Sequence, residues 1–402
     1  MRFLIAATAV FAACSGASSV QCQQDVNCDL AAGGRCVVAA TGHQWCAYPD
    51  PTCSAGYRYS DFEIGDDVSG QCFIPQSMAS CAGLPRTCGV TGNDSCCYSP
   101  EVPGGTYYRS YGSDGDGDKN SPATVSTFHL DKYEVTVGRF RAFVATSQGT
   151  LGNPPAGGSG GHPNIPESGW QASWTMELPL DTAALLTQLK CGLQDGQPTS
   201  YTWTDTPGPN ENRPINCVSW AEAMAFCAWD GGFLPTEAEW NYAAAGGPQQ
   251  RPYPWSSSVP GPLILDNSYA SYAVRDGSTG AVQCLGDNMP ACDLADLLEV
   301  GHKPRGDGRW GQSDLAGNIA EWTLDTQADY VNSCTDCTNL TYGDMVINRG
   351  GDFFSLGSTE LRTGHRGFGS RGAVEVFFGV RCARAAPEQQ GPARGTHGRT
   401  RT

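Results

Sequence analysis

The side chains able to do chemistry gather late in this 402-residue chain. Asp352 and Ser355 follow Arg349-Gly350-Gly351, and His365 and Arg366 come shortly after in Thr363-Gly364-His365-Arg366. Between Trp322 and Arg349 a polar loop carries Cys334-Thr335-Asp336-Cys337, the only Cys-x-x-Cys element. As two thiolates this pair suits soft Cu(I) or redox exchange; in an oxidising compartment the same spacing is a small disulfide clip. Ser355 has neither the Gly-x-Ser-x-Gly context nor the evident base that a hydrolytic nucleophile needs. The six histidines, His43, His129, His162, His302, His365 and His397, are scattered, and no two share helical metal-ligand spacing. His365 fits a hydrogen-bonded structural role as well as that of a ligand or base. Asp114-Gly115-Asp116-Gly117-Asp118 matches half of an EF-hand loop, lacks the glutamate at position twelve, and reads as a solvated turn.

The elements that must position these groups lie in a domain from about Val102 to Ala385, long enough for one sizeable core. Short strand-like runs alternate there with few helices. Thr136 caps a helix with Val137, Phe140, Phe143 and Val144 on one face and Gly138 as a weak point. Ser219-Trp220-Ala221-Glu222 and Thr236-Glu237-Ala238-Glu239 are capping boxes, in which hydroxyl and carboxylate satisfy orphan backbone donors. The first opens a helix through Trp229 that stops at Gly231-Gly232, and the second stops at Gly246-Gly247.

Before this domain, residues 22–98 hold ten cysteines and too little apolar sequence for a core of their own, so disulfides must hold them. Residues 1–21 read as a secretion signal: Met1-Arg2, an apolar run from Phe3 to Ala13, and Phe11-Ala12-Ala13-Cys14-Ser15. The last stretch has the form of a bacterial lipoprotein cleavage box with Cys14 as the lipidated residue; an ordinary cleavage near Ala17 is the alternative. Without Cys14 the remaining 18 cysteines are an even number, as disulfide pairing in an extracytoplasmic setting requires. A net charge of −16 argues against nucleic acid and anionic membrane as partners, leaving a lipid anchor as the route to the cell envelope. Residues 386–402 are polar and basic, a disordered tail.

The ordered motifs Gly104-Gly105-Thr106, Lys132-Tyr133-Glu134-Val135-Thr136, Pro214 to Trp220, Leu234 to Trp240, Asp314-Leu315-Ala316-Gly317-Asn318-Ile319-Ala320-Glu321-Trp322, Arg349-Gly350-Gly351 and Gly379-Val380-Arg381-Cys382 resemble the formylglycine-generating enzyme, or sulfatase-modifying factor, family over residues 102–385. The resemblance implies an α+β, loop-rich domain of the C-type-lectin-like kind. It implies an O2-dependent oxidoreductase in which two cysteines after Arg-Gly-Gly hold Cu(I). Here Ser355 stands at the first of those positions, the second falls at Glu360 or in a deletion before Arg362, and Asp352 replaces a serine. A hydroxyl is a hard ligand that does not ionise at neutral pH, so copper is not expected. Some relatives are non-haem iron oxygenases, which leaves a metal-dependent oxidoreductase with a divergent site as the alternative to a binding protein. The resemblance also implies structural calcium at Asp314, Gly317, Ile319 and Glu321, carboxylates and carbonyls that suit a hard cation; otherwise Glu321 pairs with an arginine such as Arg349 or Arg381. It implies a Cys227–Cys382 bridge, and Cys191 with Cys217 and Cys284 with Cys292 are the remaining local pairs. The expected role is that of a surface protein holding a protein, peptide or glycan ligand in a cleft bordered by Asp352, Ser355, His365 and Arg366.

Overall fold

The computed structural model describes residues 78–111, 121–191, 200–256, 264–341 and 343–386, with shorter stretches between 22 and 71. The leader with Cys14, Cys53, Cys72, the Asp114–Asp118 run, His43 and the tail with His397 lie outside the described residues. The chain divides into two compact units, Met1–Ala39 with His43–Pro75, and Ala40–Gly42 with Gln76–Thr402. The smaller unit is an antiparallel meander of β1 (Arg35–Val38), β2 (Gln44–Pro49) and β3 (Tyr57–Tyr59), in which Cys36 faces Cys46 across the ladder. Cys22–Cys36 and Cys28–Cys46 staple its first strands.

Cysteine density suggests a module running to residue 98, yet the segment from Met78 to Cys97 packs within the larger unit. Its own bridges are Cys81–Cys97 and Cys88–Cys96. Polar contacts fix it there: Asp94 takes Lys132 Nζ and Tyr133 Oη, both at 2.7 Å, and the Cys96 carbonyl accepts from Arg139.

The larger unit proceeds through β4 (Glu101–Val102), β5 (Gly105–Tyr108), β6 (Pro122–Val125), β7 (Phe128–Leu130), α1 (Val137–Ala145), α2 (Thr182–Gln188), α3 (Trp220–Trp229), α4 (Glu237–Ala244), β8 (Ala273–Arg275) and β9 (Val282–Cys284). β10 (Ala320–Thr326), β11 (Cys334–Thr335), β12 (Met345–Arg349), β13 (Gly367–Ser370), β14 (Phe378–Gly379) and β15 (Ala383–Ala385) complete it. The main sheet has the order β13-β12-β10-β14, with β14 parallel to β10, and small sheets β11-β6-β5 and β15-β7-β4 lie elsewhere in the unit. This is an α+β, loop-rich fold, as expected from the sequence.

Both capping boxes are formed, Ser219 with Glu222 on α3 and Thr236 with Glu239 on α4. α3 is apolar on every side and almost wholly buried, which makes it the centre of the core rather than a surface helix. Phe140 and Phe143 of α1 meet its Phe226 at 5.4 and 5.6 Å, and Trp174 meets its Trp220 edge-on at 4.9 Å. Gly138 has a packing reason: its N–H donates to the Glu211 carbonyl at 2.9 Å, and a Cβ would lie 3.2 Å from that oxygen. Composition did not single out α2, although Asp181 caps it by accepting from Ala184 N.

Where α1, α3 and the last strand meet, two guanidiniums and two carboxylates form a fully buried ring. Arg139 binds Asp131 (2.8 Å) and Asp230 (2.7 Å), while Arg384 binds Asp230 (2.8 Å) and Asp131 (3.3 Å). Ser80 closes it further, accepting from Arg139 Nε and donating its N–H to Asp230. The Cys227–Cys382 disulfide crosses from α3 to the chain's end beside it. Asp230→Asn leaves two buried guanidiniums sharing one carboxylate; unfolding in urea should show a loss of about 3–5 kcal/mol, as for other broken buried pairs.

Candidate functional site

The Arg349-Gly350-Gly351 turn is set by backbone conformations that favour glycine, with φ of 99° at Gly350 and 68° at Gly351. A Cβ on Gly351 would meet the Glu360 carbonyl and Ser355 Oγ at 3.1 Å. Arg349, the last residue of β12, is buried and points its guanidinium at Glu237, the first residue of α4, at 2.5 Å. It also donates to the carbonyls of Thr363 (3.2 Å) and His365 (2.7 Å) and to Tyr330 Oη (3.1 Å). Arg366 completes the cluster with a bidentate pair on Glu237, at 2.5 and 2.8 Å. Burial alone would raise the Glu237 carboxyl, but Arg349 and Arg366 outweigh it and hold the group below its ordinary range.

Tyr330 is the floor of this cluster. Arg366 lies 4.2 Å and Arg109 4.3 Å from its ring centroid, and its hydroxyl also bonds Ser110 Oγ. A small cavity opens beside it, lined by Arg109, Glu237, Asp325, Tyr330, Cys337 and Arg366 among others. Asp325 accepts the N–H groups of Glu237 (2.6 Å) and Asn339 (2.9 Å). Burial, with the Glu237 charge added, pushes its carboxyl up to about 7.

The expected cleft residues fall into two groups. Asp352 and Ser355 form a closed turn: Asp352 N donates to Ser355 Oγ (3.0 Å), Ser355 N to the Asp352 carbonyl (3.1 Å), and Phe354 N to Asp352 Oδ1 (2.8 Å). Burial pushes the Asp352 carboxyl up to about 7. The hydroxyl is thus spent on its own turn, and Asp352 and Ser355 offer hard oxygens where Cu(I) takes soft donors. The fit to Cu(I) fails on donor chemistry. His365 serves through its backbone, its N–H going to Arg362 and its carbonyl to Arg349, and Arg366 is committed to Glu237. Cys334 and Cys337 are bonded to each other, as are Cys191 with Cys217 and Cys284 with Cys292.

At the Asp314–Trp322 motif, Glu321 is taken by Arg381, whose Nε and second nitrogen lie 3.0 and 2.7 Å from its oxygens, and by Trp240 Nε1 at 2.7 Å. Asp314 adopts a left-handed conformation (φ 58°) and accepts from Gly301 N. Burial pushes its carboxyl up to about 6. Glu134 is fully buried nearby; Asn318 Nδ2 bonds its Oε2 at 2.7 Å, while Oε1 has no partner. Burial, then the charges of Asp314 and Glu321, drive its carboxyl well above the ordinary range. Two under-compensated carboxylates fit a hard cation beside Asp314, whereas Glu321 has its charge balanced already. Glu134 lies in the Lys132-Tyr133-Glu134-Val135-Thr136 motif, where nothing local signals that its carboxyl is buried near those of Asp314 and Glu321.

The histidines that fall among the described residues are dispersed. His129 Nδ1 bonds the Ser99 carbonyl at 2.8 Å, and His162 Nε2 meets Glu239 at 3.0 Å. Among the described residues no three His, Asp or Glu side chains converge as a facial triad would; the one close trio is Cys22, Cys28 and Cys46, all in disulfides.

Residues 98–386 match the model of the sulfatase-modifying factor enzyme 1-like domain. The chain is 27% identical over 287 residues to formylglycine-generating enzyme of Mus musculus, covering 66% of this chain and 69% of that one. It is 28% identical over 246 residues to inactive C-alpha-formylglycine-generating enzyme 2 of Bos taurus, covering 58% and 72%. Among solved structures, PvdO from Pseudomonas aeruginosa superposes with a TM-score of 0.44 at 19% identity, over 71% of this chain and 93% of that one.

The Asp325 carboxyl carries a pH signature. Its folded value lies near 7 and its unfolded value near 4, so between those limits the native state holds a proton the unfolded chain has lost. Stability therefore falls as pH rises from 4 to 7 through this group. Asp325→Asn should flatten that decline in urea unfolding measured at pH 5 and pH 7.5; an unchanged slope contradicts the assignment.

Proposed function

The chain belongs to the sulfatase-modifying factor enzyme 1-like family, and on that premise we propose that it holds a peptide or other ligand without converting a cysteine of it to formylglycine. The observation that carries this reading is the loop after Arg349-Gly350-Gly351, where a turn-bound Ser355 stands at the first expected thiol position, no cysteine follows before Cys382, and the only Cys-x-x-Cys element is closed as a disulfide. Similarity to a relative named as inactive supports the same reading. The ligand would lie against Tyr330 and the outer edge of Arg366, whose side chain keeps about a quarter of its exposure. There Glu237 and Arg349 would orient the cation–π surface without contacting solvent. Export is part of the proposal, supported by the leader-like residues 1–21, with Cys14 as the anchor, and by the disulfide-rich described residues.

Calcium is proposed as a structural ion at the Asp314 turn, held by Asp314 with the backbone of Gly317 and Ile319, while Glu321 stays with Arg381. It would supply the positive charge that Asp314 and Glu134 lack.

Incubating the purified protein with a cysteine-containing sulfatase peptide, copper and O2 should leave the peptide mass unchanged, while calorimetry detects binding of a peptide ligand; conversion of cysteine to formylglycine overturns the proposal. Calcium at about a hundred times its Kd should stabilise the fold by ~2.7 kcal/mol, and Asp314→Asn should abolish that gain in thermal unfolding.

A further inference from the structure

The Cys334–Cys337 bridge is asymmetric in a way that a structural clip does not require. Cys334 is buried on β11, whereas Cys337 is partly exposed and lines the cavity beside Tyr330. Arg109 reaches across to it, with one guanidinium nitrogen 3.6 Å from Cys337 Sγ and the other donating to the Val331 carbonyl (2.6 Å) and Asn332 Oδ1 (3.1 Å). A cation against sulfur favours the thiolate. The other charged groups lining the cavity are Arg366, Glu237, Asp325 and Asp329; Arg366 and Glu237 are bonded to each other.

The loop is also held by bonds other than the bridge. Asp336, between the two cysteines, accepts from Ser126 N (2.7 Å), Ser126 Oγ (2.6 Å) and Asn164 Nδ2 (3.0 Å), and its N–H donates to the Thr124 carbonyl (2.9 Å). A disulfide with a sequence separation of 3 constrains the unfolded chain least of those described, far less than Cys227–Cys382 with its separation of 155. Neither local order nor chain entropy accounts for a sulfur pair placed in a cavity beside a guanidinium.

We propose that Cys334–Cys337 is a thiol–disulfide exchange site whose co-reactant is a dithiol of a peptide or protein. A substrate thiolate attacks the accessible Cys337 Sγ; the bond to Cys334 breaks, and Cys334 leaves as a thiolate that takes up a proton. The second substrate thiolate then attacks the substrate sulfur of the mixed disulfide, and Cys337 leaves as a thiolate held by Arg109. Two electrons pass from the dithiol to the bridge, the substrate gains a disulfide, and the reverse sequence reduces one. Arg109 acts as a positioning residue for the Cys337 leaving group.

The test uses the full chain in a graded glutathione buffer, with cysteines mass-tagged after each step. Cys334–Cys337 should open while the other described bridges remain closed. Alkylation of the freed Cys337 should show a midpoint below the ~8.5 of an ordinary thiol, moved up by about one pH unit in Arg109→Gln and retained in Arg109→Lys. Cys334→Ser, which leaves Cys337 as a lone thiol, should trap a peptide that carries an internal disulfide as a mixed disulfide on Cys337, the freed peptide thiol taking the leaving electron pair. Opening only with global unfolding, or an alkylation profile indifferent to Arg109→Gln, overturns the proposal. Binding of a cysteine-free peptide is read separately, so failure here leaves the ligand-holding reading standing and the reverse holds too.

Discussion

The fold depends on the desolvated ring of Arg139, Arg384, Asp131 and Asp230. Four charges without water are tolerable only when each is met at hydrogen-bonding distance, so the ring demands one placement of α1, the end of α3 and the final strand. It joins residues up to 253 positions apart, and the Cys227–Cys382 bridge secures the same junction covalently. The segment carrying Ser80 and Cys96 is drawn into the larger unit by bonds to that ring.

The same device recurs toward the candidate site. Arg381 with Glu321 fastens the last motif to β10, and Arg349 with Glu237 fastens the glycine turn to the start of α4. In each case a buried arginine is paired with a carboxylate and also donates to backbone carbonyls, which makes it a strut. Beside these struts Arg366, Tyr330 and Cys337 keep partial exposure, with Arg109 next to the Cys337 sulfur. The placement of these groups rests on buried ion pairs and does not depend on a metal centre.

Local signals were legible in the sequence. Capping at Thr136, Ser219 and Thr236 was readable because hydroxyl and carboxylate act across three residues, and α3 followed from its box and its terminal glycines. Charge pairing was not, since it has no local spacing. Glu321 had two arginines on offer that are chemically alike; Arg349 faces it in the β10–β12 register, yet its side chain turns to Glu237 and Arg381 takes the carboxylate. Cysteine density likewise marked disulfides without marking a domain edge, because Asp94 and Cys96 bind the larger unit through contacts that composition does not reveal. Of the cleft residues, Asp352 and Ser355 were placed together and Arg366 with Glu237, a partner that nothing in its neighbourhood announced.

The central claim is that this fold retains its frame while lacking a soft-ligand centre. Elemental analysis of natively folded protein, after equilibration with Cu(I) under anaerobic conditions and desalting, tests it most directly. The account predicts calcium approaching one equivalent and only traces of copper. One equivalent of copper retained by the intact protein would contradict it.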